Sequence, residues 1–389
     1  MRILFRHLDP GKGGAVSSLV KLLEAYACRF PEDHLSIMCT RNSPLANVGR
    51  LPNCEVVFVG QKIPRAFHLL GFADIMVRRL FRERKLDLFW PVNVGLYLPG
   101  GPPQVMTMNN PHQVYPPSPD VPHPRSRLHV LLMRWFFRRS LRVSSAVIVQ
   151  TDLMRQLTQV ISGCPELVAV VPKAVTEPGV KNASLSQRIA SLLTPAASAV
   201  RLLYVATAIP HKNHKLLAAV MQRFRLQGRS IKLVLTINRA QWLQCAGELG
   251  ASLLASGHVT LLDWVDKDEL QALYEACDFS VMPSVAESLS SAHVEAMYWK
   301  RPQIVADLPY AHDLCRDAAL YADPKKAESW CDQVEKLLAD PELQHALIAR
   351  GTARIKDFPS SWTEMAEAVR PVFLSVLERH AAGVRSARR

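Results

Sequence analysis

Two glutamates stand eight positions apart in PSVAESLSSAHVEAM, with serines and alanine packed between them. Glu287 precedes the apolar-periodic stretch VEAMYWK and Glu295 lies within it, so the first reads as a loop residue and the second as part of a helix's opening turns. Were both on one helix, eight positions would leave them roughly 80° apart and about 12 Å along the axis. Such a pair serves two parts of a ligand, not one shared proton. Ser288, Ser290, Ser291 and Ala292 are small enough to leave backbone amides accessible at the helix entrance, a place for phosphate oxygens. From its surroundings alone, Glu295 also fits an ordinary surface or dipole-favoured glutamate.

A cation that could share that task occurs in ATAIPHKNHKLL, where Lys212 sits on a loop entering a helix and could meet a diphosphate together with the helix N-terminus. His211 and His214 flank it and are expected to be solvated or capping, because no Cys, Asp or third His at ligand spacing supports a metal. A second phosphate-facing candidate is DPGKGGAVSSLVKLL, whose Gly13 and Gly14 lie between a strand and a helix, where glycine lets a backbone approach another molecule closely. Neither the GxxxxGK[ST] spacing nor a third glycine of GxGxxG is present, so a plain turn remains an alternative. Asp266 and Asp268 in VDKDEL spell Asp-x-Asp, but Asp266 with Glu269 is a capping box opening the next helix, and no metal is implied.

These residues need a frame, and the chain alternates strand-like runs with helical patterns throughout. MRILFRHL, HLSIMCT, CEVVFVG, LDLFWPV, PQVMTM, SAVIVQT and VAVVP precede an Ala/Ser-rich stretch, Lys181 to Ala199; VRLLYVA, IKLVLTI, HVTLLDWV, DFSVMPS and PQIVADL follow it. Strands joined by helical crossovers predict parallel sheets covered on both faces, hence two Rossmann-like α/β domains facing across a cleft. The boundaries are drawn at 1–182, 183–365, and 366–389 for a terminal helix and basic tail expected to pack on the N-terminal domain. In such sheets ligands sit beyond the carboxyl ends of the strands, which is where Lys212, Glu287 and the glycines fall.

At 389 residues, 49% apolar and 21% charged, the chain can bury two cores. Its eight scattered cysteines form no Cys-x-x-Cys pair and read as free thiols in a reducing cytoplasm. The N-terminal run is too short for a signal peptide and reads as a buried strand. Net charge is +13, with roughly twenty-three basic against twelve acidic residues in the first 185. Two basic patches stand out, Phe72 to Lys85 and Arg125 to Arg142, the latter holding Trp135, Phe136 and Phe137 among arginines. Each is compatible with an anionic membrane interface, or with a helix that buries one face and solvates the other. No nucleic-acid-binding module accompanies the charge.

PSVAESLSSAHVEAM, continued by WKRPQIVADLPYAHDLCRDAALYADP, resembles the E-x7-E region of family 4 glycosyltransferases, retaining enzymes of GT-B fold. LLYVATAIPHKNHKLL is similar to that family's lysine loop in its His-Lys-Asn branch, and VTLLDWVDKDELQALYEACDF to the segment before the E-x7-E strand. The resemblance covers most of Arg201 to Pro324. The N-terminal half matches only in pattern.

The resemblance implies that Glu287 contacts hydroxyls of a donor sugar, Glu295 the nucleotide ribose, and Lys212 the departing diphosphate. Ser290 and Ser291 amides would add to that, with Gly13 and Gly14 closing from the other domain. Many relatives have Gly-Arg where this chain has Ala206 and Thr207, so Thr207 occupies a donor position without its cation and Lys212 carries more of the charge. Where others have His-Asp, MTMNNPHQVYP offers Asn109 and Asn110, with His112 as the substitute imidazole.

The implied activity is metal-independent, retaining transfer of a hexose from a UDP-sugar or GDP-mannose type donor. The acceptor would be a saccharide or lipid-linked saccharide of bacterial surface polysaccharide or lipopolysaccharide synthesis. The implied location is the cytoplasm or the inner face of the membrane, and no nucleic acid partner is expected. A nucleotide-sugar epimerase, a phosphorylase and a non-catalytic two-domain sugar-binding protein remain alternatives.

Overall fold

The apolar runs become parallel strands. In the first half, β1 (Arg2–Arg6), β2 (His34–Cys39), β3 (Cys54–Phe58) and β4 (Leu88–Pro91) form a sheet of order β3-β2-β1-β4. β5 (Val105–Thr107), β6 (Ala146–Val149) and β7 (Val168–Val170) form another. Isolated parallel bridges, Phe89 to Gln104 and Val92 to Thr107, link β4 to β5. In the second half, β8 (Val200–Tyr204), β9 (Ile231–Leu235), β10 (Val259–Leu261), β11 (Phe279–Met282), β12 (Gln303–Ala306) and β13 (Leu320–Ala322) form one sheet of order β10-β9-β8-β11-β12-β13.

This is a computed structural model, and it describes the chain apart from residues 9–13, 60–71, 97, 117, 119, 123–125, 163–167, 175–186, 194–198 and 387–389. Two units result: Met1–Tyr115, Arg125–Ala174 and Pro359–Arg389 make unit 1, and Pro116–Pro124 with Val175–Phe358 make unit 2. The divisions fall at 174/175 and 358/359, where the sequence reading drew 182/183 and 365/366.

Both faces of the unit 1 sheet are covered, as a parallel sheet requires. Ile3 and Phe5 enter one core with Leu23, Tyr26 and Trp90, while Leu4 enters another with Met38, Val77 and Phe89. Helix α1 (Gly14–Arg29) follows β1, α2 (Phe72–Arg84) precedes β4 and α3 (Arg127–Val143) precedes β6. In unit 2, α4 (His214–Leu226) follows β8 and α5 (Ser291–Tyr298) follows β11.

The terminal helix α6 (Trp362–Ser386) belongs to unit 1, where Trp362, Met365, Val369, Phe373 and Val376 join the β1 core. Arg370 fixes its register by pairing with Asp33 at 3.0 Å and Glu32 at 2.8 Å. Asp33 is fully buried and also takes the N-terminal amine at 2.6 Å and the Tyr26 hydroxyl at 2.8 Å. Those donors hold its carboxyl below the usual carboxylate range against the opposing effect of burial.

Two details differ from the sequence reading. A helix, Gln187–Leu193, lies within the Ala/Ser-rich stretch read as a linker, its apolar Ile189 and Leu193 buried. β13 was not read as a strand, since LYA is three residues long and buries only Ala322 fully.

Candidate functional site

In unit 2 the strand order reverses between β8 and β11, which pair directly through Phe279 with Leu202 and Ser280 with Leu203. At such a point the helices after the two strands leave to opposite faces and their N-termini border a crevice. The loop after β8 carries Lys212 and the loop after β11 carries Glu287. Seventy-five residues apart in sequence, they form an ion pair, Nζ to Oε1, with side chains only 15% and 9% exposed.

The backbone that presents the pair is cross-linked. Pro210–Lys212 is a 3-10 turn, and Asn213 follows it in the left-handed region at φ 56°, a conformation asparagine tolerates better than most residues. The Asn213 amide donates to Pro324 O at 3.0 Å, and the Val285 N–H to His211 O at 2.8 Å. Tyr204, at the end of β8, donates its hydroxyl to Lys212 O at 3.0 Å and lies 2.8 Å from Ser284 Oγ. Tyr310 donates to Ser284 O at 2.6 Å. Burial foremost, and then Glu287, push the Tyr204 hydroxyl well above its ordinary pKa, so it remains a hydrogen-bond donor.

Ser290 caps α5 by position, but its side chain makes no capping hydrogen bond, and Ser291 is the first helical residue. The positive end of α5 begins at Ser291, four residues after Glu287. Glu295 is buried, not a surface residue, and takes a 3.4 Å hydrogen bond from Tyr274, whose hydroxyl also donates to Ala292 O at 3.3 Å. Glu287 thus pairs with Lys212, and Glu295 accepts from Tyr274. Thr207 is exposed on the loop after β8, its carbonyl accepting from the Ile209 N–H.

The flanking histidines require a correction. His211 and His214 were expected to be solvated or capping, and both are buried. The ring of His214 tilts against Tyr204 at 5.0 Å, and neither of its nitrogens has a hydrogen-bond partner. Burial, aided by Lys212, lowers its pKa to about 4. His293, within the opening turn of α5, was not singled out from sequence. It is fully buried edge-on against Tyr310, 5.7 Å between ring centroids, again with both nitrogens unpartnered. Burial first lowers its pKa to about 4, with Glu287 opposing and Lys212 assisting. A histidine inside the otherwise small and apolar SSAHVEAM is the signal that could have found it. Nothing in VRLLYVA marks Tyr204.

In unit 1, Gly14 is the first residue of α1, while Gly13 lies outside the described residues. His112 follows β5 in a short 3-10 turn and is buried. Its N–H donates to Asn110 Oδ1 at 3.1 Å, and Arg134 of α3 donates to the His112 carbonyl at 3.5 Å and to that of Tyr115. Asp266 makes the capping box with Glu269 and also accepts from Trp264 at 3.1 Å. Its carboxylate is thereby used in building the fold.

Residues 173–354 match the family described as Glycosyl transferases group 1. A 140-residue stretch is 27% identical to the O-antigen chain mannosyltransferase RfbU of Salmonella typhimurium, covering 36% of this chain. The stretch spans 39% of the length of that relative. Among solved structures, sucrose-phosphate synthase from Thermosynechococcus elongatus superposes with a TM-score of 0.73 at 17% identity, over 97% of this chain and 99% of that one. Anabaena Alr3699/HepE, solved with UDP and glucose, gives 0.70 at 17% identity over 96% and 100%. The chain thus has the GT-B fold, and within it residues 173–354 are similar to the glycosyl transferases group 1 family.

Proposed function

We propose that this protein is a retaining glycosyltransferase of the E-x7-E type. It transfers a hexose from a nucleoside-diphosphate sugar to a hydroxyl of a saccharide or lipid-linked acceptor in bacterial surface polysaccharide or lipopolysaccharide synthesis. The observation that carries the reading is the Lys212–Glu287 pair at the strand-order reversal, on the loop that leads into the N-terminus of α5. An ammonium, a carboxylate and a nearby helix N-terminus support the reading, because a sugar diphosphate calls for a cation, a hydroxyl acceptor and amide donors. The kinship with an O-antigen mannosyltransferase supports the acceptor class.

In this reading the anomeric C–O bond to the diphosphate breaks, and its electron pair leaves with the phosphate oxygen. The acceptor hydroxyl attacks the same face, and its proton passes to that leaving oxygen. Lys212 and the amides at Ser290 and Ser291 stabilise the charge that develops there, without a divalent ion. Glu287 orients the sugar through its hydroxyls and Glu295 holds the ribose. Thr207, on the same loop as Lys212, belongs to the donor set as well.

The test is incubation with UDP-sugars and GDP-mannose, with and without lipid-linked saccharide acceptors and with EDTA present. NMR then reads the anomeric configuration of the product. Retained configuration and undiminished turnover in EDTA are expected. Inversion, or dependence on added magnesium or manganese, overturns the mechanism, while sugar-nucleotide conversion without an acceptor overturns the transfer.

A further inference from the structure

We infer that helix α3 seats the protein on the surface of an anionic lipid bilayer. Four large apolar side chains of α3 are turned to solvent: Leu128 is 66% exposed, Leu131 58%, Leu132 46% and Trp135 52%. At 100° per residue all four fall within about 100° of the helix circumference. Along the same side, about one and two turns further on, stand Arg138 and Arg142, both exposed. The opposite face carries Phe136, Phe137, Ser140 and Leu141, which are buried. The helix therefore already has its packing face, and the leucines and tryptophan form a second apolar face on which no element packs among the described residues. Of the twelve large apolar residues exposed among the described ones, these eight positions hold four. The patch is thus continuous and not scattered.

The chemistry of the stripe selects its occupant. RLHVLLMRWFFRRSLRV contains five arginines and no aspartate or glutamate. Among the described residues, Arg138, Arg139 and Arg142 make no ion pair. A second copy of this chain would set arginines against arginines with no carboxylate in the stripe to neutralise them. An anionic bilayer satisfies both halves of the face. The leucines and Trp135 enter the boundary between headgroups and acyl chains, and the guanidiniums meet lipid phosphates. No helix among the described residues is long and apolar enough to cross a membrane, and α3 fits an orientation in the plane of the interface.

The other basic helix, α2, uses its charge differently. Arg78 donates to the carbonyls of Leu98, Pro99 and Gly100, Arg79 pairs with Glu83, and Arg84 pairs with Glu55. Arg78 and Arg84 tie α2 to the rest of unit 1, whereas the arginines at the end of α3 remain available. Seating by α3 does not depend on the sugar-transfer reading, although it would bring the chain to the surface where a lipid-linked acceptor lies.

The experiment is co-sedimentation of the full chain with vesicles of phosphatidylcholine alone and with added phosphatidylglycerol. Binding should require the anionic lipid and weaken as salt is raised. Arg138→Glu/Arg142→Glu should reduce partitioning by about 30-fold or more, from the attraction of two arginines to an anionic surface. Leu131→Ser/Trp135→Ser should reduce it while the protein stays folded by circular dichroism, since both side chains are more than half exposed and only the Trp135–Phe136 ring contact is lost. Equal binding to both vesicle types, or undiminished binding by both variants, overturns the proposal. So does a concentration-dependent dimer that the Leu131→Ser/Trp135→Ser variant abolishes while vesicles bind neither protein.

Discussion

Lowering the pH from 7.5 to 5 should destabilise unit 2 through its two buried, unpartnered imidazoles. His214 and His293 titrate near 4 in the folded chain, against about 6.5 once unfolded. Between those values the unfolded state binds the additional protons, so stability is complete above about pH 6.5 and is lost as the pH falls towards 4. At pH 5 each histidine should cost about 2 kcal/mol relative to neutral pH, and the pair about 4 kcal/mol. That is a large part of the 5 to 15 kcal/mol typical of a domain. Carboxylates with depressed values, such as Asp33 and Glu55, lose their contribution only at lower pH, outside this window. Tryptophan-monitored urea unfolding at a series of pH values measures the effect, with Trp242, Trp299 and Trp330 reporting from inside unit 2. His214→Phe/His293→Phe keeps the ring contacts with Tyr204 and Tyr310 and should flatten the dependence. A midpoint that is level or rises from pH 7.5 to 5, or a slope unchanged in the double variant, would refute the reasoning.

Glu287→Gln should destabilise unit 2 by on the order of 3 kcal/mol, because it strands a largely buried ammonium, and Lys212→Met in the same chain should recover part of that. Chemical denaturation of the two single variants and the double variant measures the coupling. Lys212→Ala should lower turnover by about 10² to 10³-fold while the protein stays folded, as for loss of a donor to a developing anion. A steady-state transfer assay with circular dichroism as the folding control reads both. Removing residues 359–389 should leave unit 1 unfolded, since it exposes core faces of β1 and α1 and deletes Trp362 and Phe373, each side chain worth about 1.5 to 3 kcal/mol when buried. Limited proteolysis should then degrade the N-terminal half first.

The strands were legible because parallel strands covered on both faces are continuous apolar runs, and VRLLYVA or DFSVMPS has no other easy reading. The placement of Lys212 and Glu287 on the loops after β8 and β11 was legible too, since each follows such a run. Their convergence was not, because it depends on β8 lying next to β11, a pairing across more than seventy residues. The fates of the histidines were largely hidden: nothing in PHKNH says that His214 packs on Tyr204, and the small residues around His293 point to burial but not to Tyr310 as its neighbour or to a ring without hydrogen bonds. The two basic helices are alike as strings of arginine and leucine. Only the tertiary structure separated them, because burial and ion pairing depend on what the rest of the chain puts beside a helix. The carbonyls of Leu98 to Gly100 and the carboxylate of Glu55 come to α2, and no comparable partner comes to the exposed face of α3 among the described residues.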